Sequence, residues 1–124
     1  MFKQTLVIPG QICDLNTYIG AERTNRFKAA KIKKDEGELV WALIKQQSLK
    51  PCPRPVQIVY KFYCKNKRKD KSNICAFAIK VIEDSLVTAG VLKNDGWDDI
   101  IDFSHEWEID ADNPRIEVDI FCPE

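Results

Sequence analysis

The sequence predicts an α+β fold: a small mixed β-sheet with two main helices packed on it, in the order strand, helix, strand, helix, strand, strand. Three observations predict it. Residues 2–8 and 56–64 alternate apolar positions with period two, as half-buried strands do. Ile74, Phe77, Ala78, Val81, Ile82 and Leu86 recur at three and four residues, the spacing of a helix that buries one face. Two further strand patterns, 101–109 and 115–121, then follow each other with no helix between them, which is the segregation of an α+β layer. The 124 residues suit one domain, spanning 1–124.

Taken in order, Phe2, Gln4, Leu6 and Ile8 alternate with Lys3, Thr5 and Val7 until Pro9 and Gly10 stop the strand. The loop 10–18 presents Asp14, Asn16 and Tyr18, polar groups suited to lining a groove. Composition turns helical over 21–47, and Gly37 within the polar cluster 33–38 is the point at which that helix would break in two. Its second half carries the apolar stripe Leu39, Val40, Leu43 and Ile44, with Trp41 at the edge. Its first half holds six cations in twelve residues, Arg23, Arg26, Lys28, Lys31, Lys33 and Lys34, either a DNA backbone contact or a solvated helix face. Pro51, Pro53 and Pro55 force an extended connection into the second strand. That strand sets Val56, Ile58, Tyr60, Phe62 and Cys64 on one face.

A basic segment, 65–71, comes next, and Ser72 or Asn73 offers an N-cap for the helix that ends at Gly90. On this helix Lys80, Asp84 and Thr88 lie four apart, on a stripe separate from the apolar one. A loop rich in Asp, Asn and Gly leads to the third strand. There Ile101, Phe103, His105, Trp107 and Ile109 alternate with Asp102, Ser104, Glu106 and Glu108, and the apolar row reads as core-facing with His105 packed among it. Residues 110–114 read as a turn, and 115–121 as the hairpin partner of that strand.

Charged residues make up 31% of the chain and hydrophobic ones 44%, values of a folded globular protein. No run is long enough for a membrane span, and the start, Met1, Phe2, Lys3, Gln4, shows no signal-peptide core, so a cytoplasmic location and no membrane partner are expected. Formal net charge is zero, but residues 1–94 carry +10 and residues 95–124 carry −10. Such asymmetry permits a basic face beside an acidic one. The five cysteines, at 13, 52, 64, 75 and 122, are odd in number and scattered, without metal-ligand spacing; they are expected to be reduced thiols.

The chemistry-bearing stretch is 65–95. Lys67, Arg68, Lys69 and Lys71 surround Asp70, Lys80 and Asp84 lie on the helix, and Asn94-Asp95 follow it. Hard carboxylate oxygens beside a run of cations suit a divalent metal acting on a polyanion. Taken singly, Asp70 is an acid near a helix N-terminus and Asp95 a turn residue. Together, Arg68-Lys69-Asp70-Lys71-Ser72-Asn73, the helix Lys80 to Leu92 and the pair Asn94-Asp95 resemble the RusA family of phage and bacterial Holliday-junction resolvases. Pro9, Asn16, Tyr18 and Asn113-Pro114-Arg115 are similar to further positions of that family.

The resemblance implies a homodimeric, magnesium-dependent endodeoxyribonuclease that nicks four-way DNA junctions in recombination and repair. By position, Asp70 and Asp95 would ligate Mg²⁺, Asn73 or Ser72 would orient a water or phosphate oxygen, and Lys80 would stabilise charge on the scissile phosphate. Lys31, Lys34, Lys67, Arg68, Lys69 and Lys71 would contact the DNA backbone. The chain departs from the family pattern at Ser72, where a second acid stands in the family; Asp84, Asp98 or Asp99 is then the replacement ligand, Asp84 being an acid in the family pattern too. It also departs at Lys80, which follows Asn73 by seven residues where the family usually has three. Four extra residues are about one helical turn, so the lysine keeps nearly the same face.

Overall fold

The computed structural model describes residues 2–53 and 55–123; Met1, Arg54 and Glu124 lie outside them. Four strands, β1 (Phe2–Pro9), β2 (Val56–Cys64), β3 (Ile100–Ile109) and β4 (Arg115–Cys122), form one sheet in the order β1-β4-β2-β3. The β2/β3 pair is parallel, and β4 runs antiparallel to both β1 and β2. Three helices, α1 (Leu15–Thr24), α2 (Arg26–Gln46) and α3 (Lys71–Thr88), accompany it. None of the described helices is long and apolar enough to cross a membrane.

The core lies between the helices and one face of the sheet. Leu6 and Ile8 of β1, Ile116, Val118 and Ile120 of β4, and Ile58, Tyr60 and Phe62 of β2 are all buried, in register across the three strands. Val40 and Ile44 of α2, with Ala78, Ile82 and Leu86 of α3, close over them. Each large side chain so enclosed contributes about 1.5 to 3 kcal/mol relative to exposure. On the opposite face Asp119 is buried as well. It accepts 2.6 Å from Thr5 Oγ1 and sits 3.0 Å from Lys61 Nζ. Burial opposes its ionisation, but these partners outweigh it and hold the carboxyl below the ordinary range.

Four sequence expectations are corrected. Strand β4 is not the hairpin partner of β3; it inserts between β1 and β2. Its consecutive residues Val118, Asp119 and Ile120 are all buried, Asp119 beneath its contacts to Thr5 of β1 and Lys61 of β2. The short connection passes the end of β2, where Asp110 donates its N–H to the Cys64 carbonyl at 2.8 Å. Arg115 holds the turn through Asp110 at 2.8 Å and Glu117 at 2.6 Å. Left at the edge, β3 keeps its apolar row half open to solvent: Phe103 is 48% exposed, and His105 is exposed too.

The long helical stretch breaks at Asn25, not Gly37, giving three helices in place of two. Asn25 is extended, and its side chain accepts from the Phe27 and Lys28 amides and so caps α2. Gly37 lies inside α2 where it crosses α3, and its carbonyl accepts from Ser85 Oγ at 3.4 Å. The N-cap position of α3 is Asp70, two residues before the expected Ser72 and three before Asn73. Finally, Cys52 and Cys122 are joined in a disulfide, with Cα atoms 5.6 Å apart, where reduced thiols were expected. They are 70 residues apart in sequence and meet because the connection before β2 runs beside the end of β4. Cys13, Cys64 and Cys75 are free thiols.

Candidate functional site

Helix α3 positions two groups of charged side chains, one at its N-terminus and one about halfway along. At the N-terminus, a cleft is lined by Asn66, Lys67, Lys69, Asp70, Lys71 and Ser72 from the basic segment and by Trp107 and Glu108 from β3. Asn66 Oδ1 accepts from the Arg68 amide at 3.0 Å, an Asx turn that bends the segment into the helix. Lys69 reaches back 2.7 Å to Asp14, whose other carboxylate oxygen caps α1 through the Thr17 amide. Burial works against Asp14, yet Lys69 and Thr17 prevail and its carboxyl is lowered. Lys71 lies over the Trp107 ring, 5.7 Å from its centre. Asp70 makes no side-chain cap bond.

Asn73 stands in the first turn of α3. Its Oδ1 accepts the Asn16 amide at 2.8 Å, tying the start of α1 to the start of α3. Ser72 and Asp70 stay at this end of the helix. Along the axis, residue 80 lies about 15 Å beyond residue 70 at 1.5 Å per residue.

The second group forms where the loop after α3 folds back. Lys80 Nζ is 3.1 Å from Asp84 Oδ1 and 3.2 Å from Asp95 Oδ2, so the ammonium bridges two carboxylates from separate segments. Both raise its pKa. Asp95 is oriented by the Asn94 side chain, which accepts the Asp95 amide at 2.8 Å. Asp84 lines the groove between α2 and α3 with Lys33, Lys34 and Trp41. Asp95 borders a second hollow with Glu83, Trp97 and Ile100, and Trp97 is 97% exposed. Glu83 is the residue that sequence reasoning missed. Burial raises its carboxyl first, the Tyr60 hydroxyl that donates to it at 2.9 Å lowers it, and Asp95 raises it again; the net direction is up. Its signal was its place three residues after Lys80, which brings it to the same side of the helix.

The structure thus brings Lys80, Asp84 and Asp95 together and leaves Asp70, Ser72 and Asn73 at the helix start. Of the other assigned cations, Lys31 pairs with Asp35 at 2.7 Å and Lys34 with Glu38 at 3.9 Å, both one turn along α2. Among the described residues no group of three or more His, Cys, Asp and Glu converges as a metal cage. Asp84 and Asp95, both held by Lys80, are the pair of carboxylates that could hold a magnesium ion, which takes one or two carboxylates and completes its shell with waters. No family model and no curated protein matches the chain.

Proposed function

We propose that this chain is a RusA-like, magnesium-dependent endodeoxyribonuclease selective for branched DNA, acting as a homodimer. The observation that carries the reading is the Lys80 ammonium held between Asp84 and Asp95, within a surface that also presents Lys33, Lys34 and the exposed Trp97. Asp95 and Asp84 would hold Mg²⁺, which supplies Lewis acidity and an activated water when bound. Lys80, whose ammonium lies against the same two carboxylates, would place its charge beside a phosphate oxygen and stabilise the pentacoordinate transition state. Trp97 stacks on an unpaired base at the branch point. Lys67, Arg68 and Lys71, clustered around Asp70, engage the DNA backbone at the α3 N-terminus.

A second reading, junction binding without hydrolysis, is favoured by one observation: Asp70 and Asp95, the two acids the resemblance assigns to one metal, sit at different levels of α3. Cleavage of a labelled four-way junction with Mg²⁺ separates the two. Paired nicks that disappear in Asp95→Asn and persist in Asp70→Asn support hydrolysis at Asp84 and Asp95. Junction binding with no nick, unchanged by a chelator, establishes the binding module. Nicks that disappear in Asp70→Asn as well return Asp70 to the metal.

A further inference from the structure

The two edges of the sheet are treated differently. At the β1 edge the Val7 amide donates 2.8 Å to the Gln47 side-chain carbonyl, and the Gln47 amide donates 2.7 Å back to the Val7 carbonyl, so a side chain from the end of α2 occupies the edge. Gln4 makes a second reciprocal pair with the backbone of Lys50. At the β3 edge, ten residues long, the Ile100 amide donates to the Gly96 carbonyl at 3.0 Å and the Phe103 amide to the Asp102 carboxylate at 2.9 Å, and from Ser104 to Ile109 no backbone group of another segment bonds the outer side among the described residues. A long open edge is a template for a further strand.

The side chains of β3 say what that strand must look like. Phe103, His105, Trp107 and Ile109 stand opposite Ile58, Tyr60, Phe62 and Cys64 of β2 and so share the helix-side face, where Trp107 stacks on Phe62 at 4.7 Å between ring centres. Phe103 and Ile109 nevertheless remain 48% and 46% exposed, because α3 does not extend over the edge. The other face of the strand carries Asp102, Glu106 and Glu108, all exposed. A second copy of β3 does not complement this. Antiparallel pairing about a two-fold axis centred on His105 sets Asp102 against Glu108, and centring on Ser104 sets Asp102 against Glu106. Like charges directly opposite destabilise a strand pair.

We propose that the β3 edge binds an extended protein segment in which apolar residues alternate with lysine or arginine, adding it as a fifth strand. Its apolar side chains cover Phe103, His105 and Trp107. Its cations face Asp102, Glu106 and Glu108. Main-chain bonds along the edge supply affinity and the two rows of side chains supply specificity. The edge adjoins the candidate site at both ends, since Trp107 and Glu108 also line the cleft with Lys67 and Lys71, and Asp102 and Phe103 line the hollow with Asp95 and Trp97; its row of acids sets it apart in chemistry from the cations around α3.

The test uses the whole chain and a nine-residue synthetic peptide alternating valine and lysine, with Trp fluorescence and peptide-detected NMR as readouts. The expected result is saturable binding at least tenfold tighter than that of the same peptide with glutamate for lysine, and lost when alternate peptide amides are N-methylated. The variant Asp102→Asn, Glu106→Gln, Glu108→Gln, checked for folding by circular dichroism, should weaken binding tenfold or more. Equal binding of the two peptides, indifference to N-methylation, or no binding overturns the proposal. So does a dimer of the chain that the triple variant strengthens while the peptide leaves it intact, since the edge would then belong to a second copy.

Discussion

The Tyr60 hydroxyl donates 2.9 Å to Glu83 Oε2, joining the buried centre of β2 to the side of α3 that carries Lys80. Burial and the neighbouring Asp95 raise the Glu83 carboxyl above its ordinary 4.5, so the folded chain holds that proton more tightly than the unfolded one. This group's contribution is therefore fully present below 4.5 and lost as pH rises through the raised value. Glu83→Gln keeps an acceptor for Tyr60 and removes the charge. It should melt higher than the parent at pH 7, with the advantage shrinking toward pH 4 when melting temperatures are measured across that range. Tyr60→Phe leaves Glu83 short of its donor and should cost about 1 to 3 kcal/mol in denaturant unfolding.

The DNA reading predicts a division among the cations. Lys67 and Arg68 project from an exposed loop, whereas Lys31 and Lys34 face acids one turn away on their own helix. Binding of a four-way junction, followed by anisotropy over a series of salt concentrations, should therefore respond unequally. Lys67→Gln with Arg68→Gln should lower the slope of log affinity against log salt by about 2, one for each phosphate that is no longer neutralised. Lys31→Gln with Lys34→Gln should change the slope by less than half as much.

How far the sequence foretold this molecule depends on how local each signal was. Period-two and helical patterns located every strand and α3, because Leu6, Ile58 or Ile82 must face the core whatever lies beside them. Strand order was not legible in that way. The alternation of β3 is identical for a buried strand and for an edge strand whose row is half covered, and only the pairing of β4 with both β1 and β2 makes it central. The same limit applied to the site. Lys80 and Asp84 were legible as neighbours one turn apart, but the arrival of Asp95 depends on the fold-back of the loop, and the separation of Asp70 on the helix running straight between them. Asn73 read as a cap or catalytic group, because nothing local announces a partner, Asn16, 57 residues away.

Two glycines should answer oppositely to alanine. Gly37 is inside α2, and a Cβ there would meet its nearest neighbour, Ser85 Oγ, at 4.0 Å, an ordinary van der Waals separation. Gly37→Ala should stabilise by roughly 0.5 to 1 kcal/mol through helix propensity. Gly90 has φ +81° at the end of α3, a conformation that side chains rarely adopt. Gly90→Ala should destabilise by about 1 kcal/mol. It should also loosen the loop that delivers Asp95, so junction cleavage in this variant should fall more than stability alone explains. Urea unfolding of both variants, with cleavage assayed well below the midpoint, checks the pair.

The Cys52 to Cys122 bond closes a 70-residue span and fastens the connection before β2 to the end of β4. In the chain-entropy account, a cross-link of that length stabilises by about 4 kcal/mol by restricting the unfolded chain. Reduction, or Cys52→Ser with Cys122→Ser, should therefore lower the melting temperature by on the order of 10 °C. Thiol counting under denaturing conditions provides the control: three of the five cysteines, Cys13, Cys64 and Cys75, should react before reduction and all five afterwards. If five react at once in freshly prepared protein, the pair is reduced as isolated, and the melting temperature should then rise by the same amount on oxidation.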